Sequence, residues 1–99
     1  PFVLNITGVV AETPMPGMAA YSSSKIAIHG FLTALAKEWR REGVRVISAR
    51  PGHTETGLAT RAIAGTAPNF PAGMTAEHVV DRLIAAIEGD EKDLPASEF

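Results

Sequence analysis

Tyr21 and Lys25 stand four residues apart in the run Tyr21-Ser22-Ser23-Ser24-Lys25. On a helix that spacing puts both side chains on one face, one turn apart. A phenol is a poor base at neutral pH because it ordinarily ionises near about pH 10. An ammonium group beside it favours the ionised form. Such a pair can exchange a proton with an alcohol or a carbonyl near neutrality. Spacing alone is a weak signal, since tyrosine and lysine at helical spacing are common on protein surfaces. The elements that would hold the pair therefore decide how it is read.

Phe2 to Ile6 is a short apolar run ended by Thr7-Gly8, and it reads as a buried strand because both faces are apolar. A loop with Pro14, Pro16 and Gly17 follows. From Met18 to Glu42 the pattern is helical: Ile28, Phe31, Leu32, Leu35 and Trp39 recur at steps of three and four, and Gly43 supplies a stop. Val44 to Ala49 reads as a second strand, stopped by Pro51-Gly52. A long loop is expected over 53–73, with a short helix around Gly57 to Ala64. Thr75 is placed as an N-cap with Glu77 in the first turn, and Val79, Val80, Leu83, Ile84 and Ile87 form the apolar face of a helix that Gly89 ends. The tail from Asp90 to Phe99 is expected to be peripheral.

This order is a strand–helix–strand unit with a further helix, so the strands should be parallel and the crossover right-handed. Two parallel strands do not make a stable sheet, so further strands are expected from a preceding segment or a partner chain. Ligand crevices form where parallel strands end. Both Tyr21 and Pro51-Gly52 fall on that side, so two separate signals meet at one rim.

The 99 residues limit the chain to one domain or part of one, and the composition, 45% hydrophobic and 20% charged, is that of a globular chain. The net charge of -2 gives no electrostatic support for a nucleic-acid partner. Cysteine is absent, which excludes disulfides and thiolate metal sites and suits a cytoplasmic location. No run is long enough to span a bilayer, and the apolar start lacks the basic region and cleavage site of a signal peptide. His29, His53 and His78 are not at metal-ligand spacing, so no metal is expected.

Together, Asn5-Ile6-Thr7-Gly8, Pro16-Gly17-Met18-Ala19-Ala20 running into Tyr21-Ser22-Ser23-Ser24-Lys25, Ala34-Leu35-Ala36-Lys37-Glu38, Gly43-Val44-Arg45-Val46 and Arg50-Pro51-Gly52-His53-Thr54-Glu55-Thr56 form a pattern that resembles the classical short-chain dehydrogenase/reductase family. The resemblance is close from Phe2 to Leu58 and looser over the last helix. It implies an α/β fold, the C-terminal strand–helix–strand–helix portion of a doubly wound, Rossmann-like parallel sheet. It also implies hydride transfer between NAD or NADP and an alcohol or carbonyl substrate. By that resemblance Tyr21 is the general acid/base, and Lys25 holds the cofactor ribose and favours the ionised phenol. Pro51-Gly52 packs by the nicotinamide ring, Thr56 bonds the carboxamide, and Thr54 joins the cofactor-binding set. The long helix is implied to pair with its mate in a second subunit, giving a homo-oligomer; the loop from Thr56 to Met74 is expected to cover substrate, and its mixed apolar content suggests a small to medium apolar carbonyl compound.

Two departures stand out. The family's serine, thirteen residues before the tyrosine, is replaced by Gly8, leaving Thr7 beside it and Thr13 on the next loop as possible substitutes. No Gly-x-Gly-x-x-Gly run is present, so residues 1–99 are read as the catalytic C-terminal portion of a dinucleotide-binding domain without its phosphate-binding half. NAD and NADP are not distinguished by these residues. The rival reading is a non-catalytic fragment or degenerate pseudoenzyme that assembles through its long helix. The extended branch, with its nucleotide-sugar epimerases, is a third, favoured only by Arg50-Pro51. Ser22 to Ser24 lack a nucleophile elbow and read as small residues for close helix packing, and Phe31 and Trp39 read as packing residues.

Overall fold

The computed structural model describes residues 1–54 and 73–99. The expected helix at Gly57 to Ala64, and Glu55 and Thr56, lie outside the described residues. Strand β1 spans Phe2–Ile6 and a 3-10 turn covers Val9–Ala11. Helix α1 runs Ala19–Glu38, a second 3-10 turn covers Arg40–Glu42, and strand β2 spans Arg45–Ala49. Helix α2 runs Ala76–Glu88, strand β3 spans Asp93–Leu94, and a 3-10 turn at Ala96–Glu98 closes the chain. The strands lie in the order β1-β2-β3, parallel throughout, with Phe2 opposite Arg45, Ile6 opposite Ala49, and Ala49 opposite Leu94.

Side chains alternate across β2, and the alternation assigns a helix to each face. Ile47 and Ala49 join Val79, Leu83 and Ala86 of α2 and Leu94 of β3 in the core, with Leu4, Ile87 and Phe99 packed at its margin. Ser48 and Arg50 point the other way, where Ser48 meets His29 of α1. The two helices thus cover opposite faces. The steps from β1 to β2 and from β2 to β3 go in one direction across the sheet, so the two helical crossovers are of opposite hand. One of them departs from the general right-handed preference.

The third strand overturns the expectation of a peripheral tail. Leu94 has no exposed surface. Arg50 N–H donates to its carbonyl at 2.9 Å, extending the β2–β3 ladder. The tail is also tied to α2: Arg82 pairs with Glu91 at 2.7 Å and donates to the Glu98 carbonyl at 2.8 Å. That hydrogen bond from Arg82 holds the Glu91 carboxyl below its ordinary range. Charge and proline in the tail hid a strand that needs only two residues.

Two expected faces are corrected as well. Strand β1 is half exposed rather than buried, with Phe2 and Ile6 open to 46% and 48%, because it is an edge strand of the described sheet. The stripe predicted on α2 is wider than its buried face. Val79, Leu83 and Ala86 are buried, while Val80 and Ile84, one turn apart, form an exposed row beside them. Thr75 does cap α2, its hydroxyl accepting from the His78 N–H at 3.1 Å. Arg45 closes the other end, donating to the carbonyls of Ala86, Ile87 and Glu91 at 3.3, 2.8 and 3.1 Å. A cation suits the carbonyl end of a helix.

Helix α1 ends at Glu38, four residues before the expected Glu42, and continues as the 3-10 turn to Gly43 in the left-handed conformation. Of its predicted apolar residues Leu32 is buried and Leu35 and Trp39 are half-buried. Ile28 and Phe31 are exposed, Phe31 to 64%. Phe31 is therefore not a packing residue within the described chain. No helix among the described residues is long and apolar enough to cross a membrane.

Candidate active site

The rim is built where β1 and β2 end. Past β1, the Thr7 N–H donates to the Ala49 carbonyl at 2.9 Å and the Val9 N–H to the Pro51 carbonyl at 2.8 Å. These bonds extend the parallel ladder and bring Thr7-Gly8 beside Pro51-Gly52. The 3-10 turn at Val9–Ala11, with Val10 buried, then packs against α1. Thr7, Pro51 and Gly52 from two strand ends are thereby gathered on one side of the sheet, beside the start of α1 that carries Tyr21 and Lys25.

Tyr21 and Lys25 lie on one face of α1, with the Lys25 Nζ over the Tyr21 ring at 5.5 Å from its centroid. That distance is within reach of cation–π attraction. Tyr21 is 37% exposed, so its ring is open to a ligand, while its neighbour Ser22 is buried. The Ser22 hydroxyl accepts from the Met15 N–H at 3.4 Å, fitting the view that small residues here seat the helix start. Packing chose the serine for the inside and left the tyrosine on the rim.

Thr7 is buried, and its hydroxyl donates to the Ala49 carbonyl at 3.4 Å, so it is engaged with the sheet. Gly8 takes φ 115° and ψ 166°, a backbone conformation open essentially to glycine alone. A Cβ there would meet only the Pro51 carbonyl at 3.9 Å, so the restriction lies in the backbone and not in space. Thr13 is exposed on the following loop. Pro51 is buried and Gly52 half-buried, and Thr54 donates its hydroxyl to the Gly52 carbonyl at 3.1 Å. Thr54 also bridges to Met74, where the Met74 N–H donates to the His53 carbonyl at 2.9 Å. Gly73 is required there: a Cβ would sit 2.3 Å from the His53 carbonyl oxygen.

A polar cluster at Arg50 was not foreseen from the sequence. Its side chain, 6% exposed, pairs with Glu12 at 2.7 Å and with Asp93 at 2.8 Å. It also donates to the Ser48 hydroxyl at 3.1 Å. The Ser48 hydroxyl also lies 2.8 Å from His29 Nδ1, which joins α1 to the cluster. Burial works against the guanidinium's charge, but hydrogen bonds to Asp93 and Glu12 outweigh it and raise the pKa above its ordinary value. The only sequence signal was an arginine at the end of a buried strand. Among the described residues no group of three or more histidine, aspartate or glutamate side chains is arranged to hold a metal.

Comparison with known proteins follows the same residues. A family model described as short chain dehydrogenase matches residues 2–67. Acetoacetyl-CoA reductase of Allochromatium vinosum is 39% identical over 56 residues, covering 57% of this chain and 23% of that protein. Acetoacetyl-CoA reductase of Cupriavidus necator is 30% identical over 93 residues, covering 94% of this chain and 32% of that protein. Among solved structures, a short-chain dehydrogenase from Sphingobium yanoikuyae in complex with NADPH superposes with a TM-score of 0.82 at 24% identity, over 95% of this chain and 36% of that one. A short chain dehydrogenase from Burkholderia cenocepacia J2315 in complex with NADP gives 0.79 at 27%, over 96% and 38%. The three-stranded parallel sheet thus corresponds to part of the Rossmann-like sheet of those proteins.

Proposed function

This chain belongs to the short chain dehydrogenase family, and from that membership we propose that it is the catalytic C-terminal portion of an NAD- or NADP-dependent oxidoreductase acting between alcohols and carbonyl compounds. The observation that carries the reading is the Lys25 ammonium lying over the exposed Tyr21 ring. The pair opens on the rim where β1 and β2 end, the side on which parallel sheets bind ligands.

The residues present suit the nicotinamide–ribose end of a dinucleotide. Lys25 offers donors for ribose hydroxyls, and Gly52, half-buried and without a Cβ, offers a backbone that a flat ring can approach. Pro51 fixes that turn, and Thr56 is the candidate donor to the ring's substituent, while Thr54, whose hydroxyl donates to the Gly52 carbonyl, offers its oxygen as an acceptor. The dinucleotide supplies the hydride. Tyr21 gives its proton to the carbonyl oxygen during reduction and takes it back during oxidation, while Lys25 keeps a positive charge beside the phenol. No glycine-rich phosphate cradle occurs in the sequence, so the pyrophosphate is held by residues outside 1–99. The proposal extends to a cytoplasmic enzyme that assembles with a second copy through α1.

A specific observation favours the non-catalytic alternative. Gly8 occupies the family's serine position in a backbone conformation that disfavours any side chain, and the Thr7 hydroxyl is committed to the sheet. The two readings part on one experiment. In the full-length protein, NAD(P)H fluorescence should shift on binding, and carbonyl reduction should be measurable. Tyr21→Phe should abolish that turnover while leaving the binding isotherm in place. Equal turnover in the variant removes Tyr21 from the chemistry, and dinucleotide binding with no turnover on a panel of ketones favours the pseudoenzyme.

A further inference from the structure

The loop from Gly8 to Met18 carries the chain from the end of β1 to the start of α1, and so sets where Tyr21 stands. Its first tie to the sheet is the Val9–Pro51 backbone bond. Further on, among the described residues Met15 and Met18 bond within the loop and to α1: the Met15 N–H to Ser22, and the Met18 N–H to Met15. Met18 gives α1 no side-chain cap. Between these points Glu12 reaches across to the sheet and accepts from Arg50 Nε at 2.7 Å. The same carboxylate oxygen accepts from the Ala96 N–H at 3.0 Å, tying in the final 3-10 turn. Arg50 in turn is held by Asp93 of β3 and Ser48 of β2, and it immediately precedes Pro51-Gly52.

We propose that Arg50 and Glu12 form a clasp that positions the Tyr21-bearing loop against the Pro51-Gly52 turn, making both of them positioning residues for the proton transfer. The inference rests on the oxidoreductase reading above. A guanidinium shared by two carboxylates has little freedom to shift, because its donors are fixed in one plane. The guanidinium is buried but the Glu12 and Asp93 side chains are 30% and 65% exposed, and ion pairs open to solvent on one side add little net stability, so the contribution here is geometric. One guanidinium links the turn that would face the nicotinamide, the loop that leads to the proton donor, and the end of the chain. Displacement of a reacting group by about an ångström costs on the order of 100-fold in rate, so slack in this link reads out in turnover before it reads out in folding.

The test compares Glu12→Gln, Arg50→Met and the double variant in the full-length natural protein, with Glu91→Gln as a remote control that breaks only the Arg82 pair. Glu12→Gln keeps the side chain's shape and its hydrogen-bonding oxygen but removes the charge. It should lower kcat on the order of 10-fold to 100-fold, with the KM for the dinucleotide held within about twofold. The double variant should be no slower than the worse single, as expected of groups acting through one link. Glu91→Gln should leave kcat unchanged. A kcat within about twofold of the parent for folded Glu12→Gln overturns the proposal. So does a loss fully accounted for by the unfolded fraction, or losses that multiply in the double variant. If Arg50→Met does not fold, Glu12→Gln decides alone. Tyr21→Phe run in parallel separates the levels. Absence of turnover in the parent defeats the oxidoreductase reading, turnover surviving in Tyr21→Phe removes Tyr21 from the chemistry and the clasp with it, and a dead Tyr21→Phe beside a fully active Glu12→Gln defeats the clasp only.

Discussion

Gly8 stands at the family's serine position in a backbone conformation that disfavours any side chain. The sequence marks it as a departure from the family's serine, and suggests a lost hydroxyl. The structure adds that φ is 115° there, in a region L-residues avoid. Restoring the serine would therefore not restore a hydroxyl at the family's position, since the backbone must turn first and the Thr7 bond to Ala49 and the Val9 bond to Pro51 oppose that turn. Gly8→Ala should destabilise the protein by roughly 1–3 kcal/mol, a conformational cost because a Cβ meets only an ordinary contact. Chemical denaturation checks it, and an unchanged midpoint would mean the loop accepts another conformation. The nearness of Tyr21 and Lys25 was legible because a four-residue step on a helix is local. Arg50 and Glu12 were not, because their contact spans residues 38 apart and depends on which face of β2 the arginine takes.

At the level of elements, local signals located what local physics controls. The Thr75 cap and the start of α2 follow from one turn of chain and were readable, whereas Gly43 ends the 3-10 turn after α1 and not α1 itself. The short strand β3 was not, because two residues carry no periodicity and only pairing with β2 makes them a strand. Buried faces were overestimated for the same reason: a stripe shows which residues could be covered, while the sheet decides how many are. Arg45 is the clearest element-scale device, since one side chain closes the carbonyl end of α2 and stacks over Phe2 at 5.7 Å. Arg45→Met should cost about 2 kcal/mol, as expected for charged hydrogen bonds to otherwise unpaired carbonyls. Asp90→Asn should cost almost nothing, because Asp90 is 92% exposed and stands 3.8 Å from the guanidinium. Equal effects of the two in thermal unfolding would mean that the Arg45–Asp90 ion pair, and not the capping of α2, carries the stabilisation.

For the whole molecule, the open question is what meets α1 on its outer side. The helix spends Leu32 and His29 on the sheet and leaves Ile28 and Phe31 in solvent, at 38% and 64% exposure. Phe31 is a large apolar group with no partner in the described core, while Tyr21 and Lys25 occupy the start of the same helix. If α1 pairs with its mate in a second copy, Phe31 is buried on assembly, and the contact steadies the helix that carries Tyr21. Phe31→Lys should then shift the full-length protein toward monomer in light scattering, because a buried, unpaired ammonium is costly. Turnover per chain should fall together with the dimer fraction, and recover as protein concentration rises. A variant that keeps the parent's mass at low concentration would remove α1 from the interface, and would leave the exposed phenylalanine to be covered by another part of the same polypeptide.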